Sequence, residues 1–389
     1  MSRKKVAVLL PWMKMGGTNK IGLSFMRELS EYCDVTLILS ERTGELLEEL
    51  PDNIELIVDE MRGFKDILFE DIRKVRIGKI VRDMAYYIRV KCGRDNIDNW
   101  KYIVDRHGLI CDKEFDSAIS YHGQSPERLL NLLYRINAEK KVVWIHGENS
   151  FPEKKLRPMR KYYAMADHFF FVSNPTMESF ERVFPFDRSK ATVYYNPIEK
   201  ERITALSDVA CEPEMAKDSF NILTVGRVSS EKGQDMIPPT VKKLLEKGHN
   251  VRWYVIGDGN MLPSVKASAK ALSVEDRVVF LGTRTNPYCY MKACDLYVQP
   301  SYTEGYSTTI CEAGMLGCAV VGTKPSGGIY DQLTDGYDGL IVEATCEGLV
   351  SGIETLICDS ALRESFKSRI VEKNFEGKGE IEKFLIILR

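Results

Sequence analysis

Two acidic residues eight positions apart, Glu304 and Glu312, stand in the stretch SYTEGYSTTICEAGMLGCAVVGT, Ser301 to Thr323. Small hydroxyl residues lie around them and an apolar, glycine-containing run follows. Two carboxyl groups invite comparison with the acid/base pair of a hydrolase. Pro300 and Gly305 predict a strand ending near Gln299 and a helix beginning around Tyr306. Eight helical positions span roughly 12 Å, whereas hydrolase carboxyl pairs stand about 5–5.5 or 6.5–9.5 Å apart. The spacing suits an elongated ligand better, with each acid accepting hydrogen bonds from hydroxyls at one end. Between them, amides near Ser307, Thr308 and Thr309 form the kind of helix N-terminus that receives phosphate. A surface role for both acids is hard to reconcile with Glu312, which is set among Cys311, Ala313, Met315 and Leu316.

Three further groups carry chemical potential. In TVGRVSSEKG, Gly226 ends a strand, and Arg227 and Lys232 follow in the loop, where cations at a strand's carboxyl end can hold a diphosphate. In LLPWMKMGGTNK, Gly16 and Gly17 separate the first strand from a helix expected near Asn19, and allow either close approach of a ligand or a tight turn. This is not the dinucleotide fingerprint G-x-G-x-x-G. His122 and His146, two of only five histidines, each precede a glycine at the end of a strand, the edge where open α/β sheets place ligands.

The elements that must position these residues alternate short β-branched runs with helical segments. Expected strands are Val6–Leu10, Val35–Leu39, Ser117–Tyr121, Val142–Ile145, His168–Val172 and Thr192–Tyr195. A second series runs Ile222–Val225, Val251–Ile256, Val278–Leu281, Leu296–Gln299, Ala319–Gly322 and Leu340–Val342. Continuous apolar runs of this kind are parallel strands covered on both faces, and two series imply two doubly wound α/β domains. The polar stretch Asn196–Ser219, with Pro197 and Pro213, is the expected boundary. Residues 1–200 form the first domain, rejoined by a C-terminal helix within 376–389, and 201–375 the second.

Composition bounds the function class. The 389 residues carry 44% hydrophobic and 28% charged residues and a net charge of -2, a soluble globular balance that speaks against a nucleic-acid partner. Ten cysteines show no zinc-ligand spacing; Cys111, Cys294, Cys311 and Cys318 read as reduced core thiols, hence a reducing compartment. The apolar run at the start is cut short by Pro11 and Lys14, too early for a secretory leader, and no run approaches the ~20 residues of a membrane span. A cytoplasmic location is expected. Residues Arg62 to Arg94 hold ten basic residues against four acidic ones, with apolar residues at roughly helical spacing. Such a segment either lies on an anionic membrane surface, placing the protein peripherally on the inner face of the cytoplasmic membrane, or is a solvated helix face.

Taken together, the motifs resemble the retaining nucleotide-sugar glycosyltransferases of family 4, whose GT-B fold sets two Rossmann-like domains facing across a cleft. The resemblance rests on E-x7-E at Glu304 and Glu312, on G-R-x4-K-G at Gly226, Arg227, Lys232 and Gly233, and on YYNPIE, VIGDG and DGYDGLIV. It implies that Arg227 and Lys232 hold the donor's diphosphate, Glu312 the ribose and Glu304 the transferred sugar. It also implies a donor site shared with Gly16, Gly17, Gly305, Tyr306, Ser307 and Thr308. His146 matches the family's histidine beside the reacting sugar and acceptor, and His122 is a second acceptor-side candidate. The implied partners are a nucleotide-sugar, UDP-linked, and a saccharide or lipid-linked saccharide acceptor. No cofactor or metal is expected, since no D-x-D triplet occurs. Relatives commonly carry glutamate near Tyr330–Asp331, a departure that leaves the donor's identity open. A nucleotide-sugar epimerase of the same architecture, or a catalytically silent partner of a transferase, is the alternative.

Overall fold

The computed structural model describes residues 3–59, 73–74, 77–78, 81, 84–85, 101–102, 104–105, 107–147, 157–209, 215–324, 327–375, 377 and 379–389. Most of the basic segment 62–94 therefore lies outside the described residues. The chain divides into two compact units: Met1–Phe171 with Met177–Tyr194 and Gly379–Arg389, and Val172–Thr176 with Tyr195–Lys378.

The first unit is built on a parallel sheet of β1 (Lys5–Leu10), β2 (Asp34–Leu39), β3 (Glu55–Val58), β4 (Glu114–Ser120), β5 (Asn137–Ile145), β6 (His168–Phe171) and β7 (Ala191–Val193). Its order is β3-β2-β1-β4-β5-β6-β7. Burial follows from the apolar runs: five consecutive residues of β1 and five of β2 are buried, as parallel strands covered on both faces require. One sheet face carries a cluster of rings. Tyr121, Trp144, Phe170 and Tyr194 pack against Phe25 and, from the chain's last helix (Glu380–Ile387), against Phe384. Lys383 of that helix donates to the Val193 carbonyl at 2.9 Å, and Lys140 donates to the Ile387 carbonyl.

The second unit repeats the plan with β8 (Phe220–Val225), β9 (Val251–Ile256), β10 (Val278–Gly282), β11 (Leu296–Gln299), β12 (Val320–Lys324) and β13 (Leu340–Glu343), all parallel, in the order β10-β9-β8-β11-β12-β13. Each expected strand is present. The edge strand β3 was not expected, because ELIV is only partly buried and gives no continuous apolar signal. The stretch Asn196–Ser219 is less linker-like than its composition: it contains the helix Lys200–Asp208. Leu206 accepts a hydrogen bond from Asn286, and Asp208 pairs with Lys292.

Cys33, Cys294, Cys311 and Cys318 are free buried thiols and Cys111 a free, partly exposed one. The four cysteines expected as thiols, Cys111, Cys294, Cys311 and Cys318, are thus free, whereas Cys289, for which nothing was expected, is disulfide-bonded. No helix among the described residues is long and apolar enough to cross a membrane.

Candidate functional site

Both sheets reverse their winding beside their first strand, between β1 and β4 and between β8 and β11. At such a switch point neighbouring connections leave toward opposite faces and open a crevice at the strands' carboxyl ends. The sequence-derived candidates fall at these ends. Gly16 and Gly17 follow β1 and His122 follows β4; Arg227 and Lys232 follow β8, and Glu304 follows β11.

In the second unit the loop after β8 and the turn after β11 clasp one another. The Tyr302 amide donates to the Glu231 carbonyl and the Tyr302 hydroxyl to Asp235, both at 2.9 Å. Gly233 has φ +66°, and a Cβ there would stand 1.9 Å from the Pro300 carbonyl oxygen. Only glycine lets the loop carrying Lys232 come this close to the turn carrying Glu304.

That approach delivers an ion pair. Lys232 Nζ lies 2.5 Å from Glu304 Oε1, with the two side chains 22% and 10% exposed. The same oxygen accepts from Gln299 Nε2 and Ser301 Oγ at 3.0 Å each. Three donors, one of them cationic, thus meet Oε1, while the other oxygen, Oε2, takes none of them. Gln299 is itself buried and spends its whole hydrogen-bonding capacity here. Its Oε1 accepts from Tyr297 at 2.7 Å and from Thr309 at 3.1 Å, and its Nε2 donates to Ser301 at 2.8 Å and to Glu304.

Glu312 lies in the helix Thr308–Met315, half-buried, and accepts from the Tyr288 hydroxyl at 3.4 Å. Burial, and then the nearby Glu312 carboxylate, push the Tyr288 phenol well up. The hydrogen-bond partners described for the two acids thus lie on different elements.

Other candidates divide. Arg227 is exposed, and its carbonyl accepts from Gln234 at 2.9 Å. The Gly305 carbonyl accepts from Ser173 at 2.7 Å, and Tyr306 packs its ring 5.5 Å from that of Tyr195. The helix starts at Thr308, later than expected, with Ser307 as its cap. Ser307 is a correction to the phosphate-cradle expectation: it is buried, its amide donates to Gln332 Oε1 at 3.0 Å, and its carbonyl accepts from Gln332 Nε2 at 2.6 Å. Its N–H is already committed, so of the three amides in that expectation only those of Thr308 and Thr309 remain candidates. Asp331, at the departure from the family pattern, accepts from the Asn174 amide at 2.8 Å.

In the first unit the helix after β1 begins at Gly17, earlier than expected. Gly16 is extended at φ 169°, and a Cβ there would meet nothing within 4 Å. No local turn demands this glycine. His122 Nε2 sits 3.4 Å from Asn19 Oδ1, and its ring centre lies 6.0 Å from that of His146. Burial first, then Arg128, lower the His122 pKa to about 4. His146 is also lowered, well below the ordinary imidazole value, mainly by burial and then by His122; its Nε2 is covered and has no hydrogen-bond partner among the described residues. No cluster of three or more His, Cys, Asp or Glu placed to hold a metal occurs among the described residues.

Sequence reasoning missed Gln299, Ser301, Tyr288 and Gln332. Only Gln299 carried a signal, as a lone polar residue closing the apolar strand LYVQ.

Residues 212–372 match the family model described as Glycosyl transferases group 1. The chain is 30% identical over 210 residues to a Campylobacter jejuni protein named N-acetylgalactosamine-N,N'-diacetylbacillosaminyl-diphospho-undecaprenol 4-alpha-N-acetylgalactosaminyltransferase, covering 53% of this chain and 55% of that one. It is 30% identical over 154 residues to the capsular polysaccharide biosynthesis glycosyltransferase CapM of Staphylococcus aureus, covering 39% and 40%. The chain thus spans about half the length of the curated relatives it matches. Among solved structures, Anabaena HepE in complex with UDP-glucose superposes with a TM-score of 0.71 at 17% identity, over 99% of each chain. The fold is therefore two parallel-sheet, Rossmann-like α/β domains, as in structural neighbours of the GT-B class.

Proposed function

We propose that the chain is a retaining, family-4-type glycosyltransferase. It moves a hexosyl group from a nucleotide-sugar, UDP-linked, to a saccharide or lipid-linked saccharide acceptor in glycoconjugate biosynthesis. The observation that carries this reading is the Glu304 carboxylate, held by Lys232 through one oxygen at the switch point of the second unit, with Glu312 on the helix that follows. The relatives' names support a sugar transfer, the undecaprenol-linked substrate in one name supports a lipid-linked acceptor, and the bound donor named for HepE supports UDP-glucose-like donors.

In this reading Arg227 and Lys232 bind the diphosphate, with Thr308 and Thr309 supplying helix amides, Glu312 takes the ribose hydroxyls, and Glu304 Oε2 takes a hydroxyl of the sugar. The acceptor oxygen bonds to the anomeric carbon on the face the phosphate leaves. The C–O bond to phosphate breaks with its electron pair, and the departing phosphate receives the acceptor's proton. The positive charge that stabilises the leaving group comes from Arg227 and Lys232, so no metal is required. His146 and His122 serve the acceptor side.

A thermal-shift screen of nucleotide-sugars, followed by transfer assays with the best donor, tests the reading. A donor that raises the melting temperature and is consumed only with an acceptor supports it. Epimerisation without acceptor would support an epimerase, which the relatives' names do not favour, and no shift with any donor would support a silent partner. Membrane contact through segment 62–94 is a separate part of the proposal. Arg73, Lys74, Ile77, Val81 and Met84 are exposed. Retention by anionic liposomes at low salt, lost at high salt, is the expected result; no retention at low salt removes this part.

A further inference from the structure

Resting on that reading, we infer that Gln299 is a positioning residue for the donor sugar: it fixes which oxygen of Glu304 faces the ligand. A free glutamate on a turn would rotate about its terminal torsion, which is broad and nearly two-fold, and would offer either oxygen. Here the rotation is stopped from one side. Gln299 Nε2 and Ser301 Oγ reach Oε1 from the strand end at 3.0 Å each, and Lys232 reaches it across the clasp at 2.5 Å. Oε2 is thereby left as the acceptor turned to the ligand.

The orientation of Gln299 is itself determined. Both donors to its Oε1 are hydroxyls, Tyr297 from the same strand and Thr309 from the first turn of the following helix. A flipped amide would place its NH2 against these two hydroxyls and its carbonyl against the carboxylate, where it would be repelled. Tyr297, Thr309, Gln299 and Glu304 therefore link the strand, the helix and the turn into one polar network centred on Gln299. Such a network holds a group in place before the ligand arrives, which is where a binding site gains affinity without new contacts.

Lys232 completes the division of labour. Its ammonium has three donors, one of which serves Glu304. The others remain for a diphosphate. A ligand with a phosphate beside Lys232 and a hydroxyl beside Oε2 satisfies both, whereas a nucleoside diphosphate without its sugar leaves Oε2 unused. Gln299 should then matter only to the sugar.

The experiment compares wild type, Gln299→Leu and Ser301→Ala by titration calorimetry with the nucleoside diphosphate and with the matching nucleotide-sugar from the donor screen, and by steady-state transfer. Leucine keeps the volume but removes the donors. Gln299→Leu is expected to bind the diphosphate within about twofold of wild type, to lose about tenfold or more in affinity for the nucleotide-sugar, and to lose kcat. Ser301→Ala, which removes another donor to the same oxygen, is expected to shift sugar affinity in the same direction by a smaller factor, and it carries the test should the Gln299 variant not fold. Equal losses for diphosphate and nucleotide-sugar would make Gln299 a merely structural residue and overturn the inference, as would unchanged sugar affinity. Wild-type protein that binds no nucleotide-sugar at all would instead overturn the proposed function.

Discussion

Glu304 and Glu312 have the same functional group and opposite surroundings. Glu304 is pinned by a cation and two neutral donors through one oxygen, while Glu312 meets a tyrosine hydroxyl at 3.4 Å. If Glu312 accepts from ribose hydroxyls, Glu312→Ala removes a charge-assisted bond of about 1.5–3 kcal/mol. Nucleotide affinity is then expected to fall roughly tenfold to a hundredfold by calorimetry, and an unchanged affinity would remove the ribose assignment. His146→Ala is expected to leave nucleotide affinity near wild type and to lower kcat about tenfold or more. The histidines also make a prediction about pH. His122 has its pKa lowered to about 4 in the folded chain against about 6.5 unfolded. Between those values the unfolded chain binds a proton that the folded one does not, so stability falls as pH drops from 6.5 to 4 and its loss levels off below. For His122 alone the loss amounts to about 3 kcal/mol at most. His122→Asn should flatten the pH dependence of the urea midpoint over that window; an unaltered slope would show that His122 is not buried as neutral imidazole.

Gly233 is where local backbone freedom decides whether two loops can meet. Its φ of +66° costs a side chain about 1–2 kcal/mol, and an added Cβ would strike the Pro300 carbonyl at 1.9 Å. Gly233→Ala is therefore expected to lower the second unit's stability by more than that strain alone, and to weaken nucleotide-sugar binding by separating Lys232 from Glu304. Gly248→Ala is the control. Gly248 also has positive φ, +87°, but open space around its Cβ, so it should cost stability and leave the ligand affinity alone. Equal ligand affinity in both variants would sever the clasp from the site. What could be read in advance follows the same division. The strands were legible because each is a short apolar run, and the acids because their spacing is local. Gln299–Glu304 was not legible, since a lone glutamine at a strand end says nothing of where its amide points. Tyr288–Glu312 and Ser307–Gln332 join residues 24 and 25 positions apart, beyond any periodicity. Ser307 was misjudged for that reason: as a helix cap it should offer its N–H, but a side chain from a distant helix takes it.

The chain leaves the first unit, builds the second, and returns for its last eleven residues, Gly379–Arg389. The first unit's core therefore depends on residues separated in sequence from the rest of that unit by nearly the whole of the second. Phe384 is fully buried, 5.7 Å from Phe25 and 6.0 Å from Phe170 by ring centres. Deleting such a ring costs about 3–5 kcal/mol, transfer and cavity together. In Phe384→Ala that loss belongs to the first unit, whereas any nucleotide bound at Lys232, Glu304 and Glu312 stabilises the second. Two cores with one ligand predict separable transitions. By scanning calorimetry the variant's lower transition should fall by several degrees while a nucleoside diphosphate still raises the upper one. A single transition in which the ligand fully restores the variant's loss would mean that the two cores unfold as one, and the assignment of the last helix to an independently melting first unit would then fail.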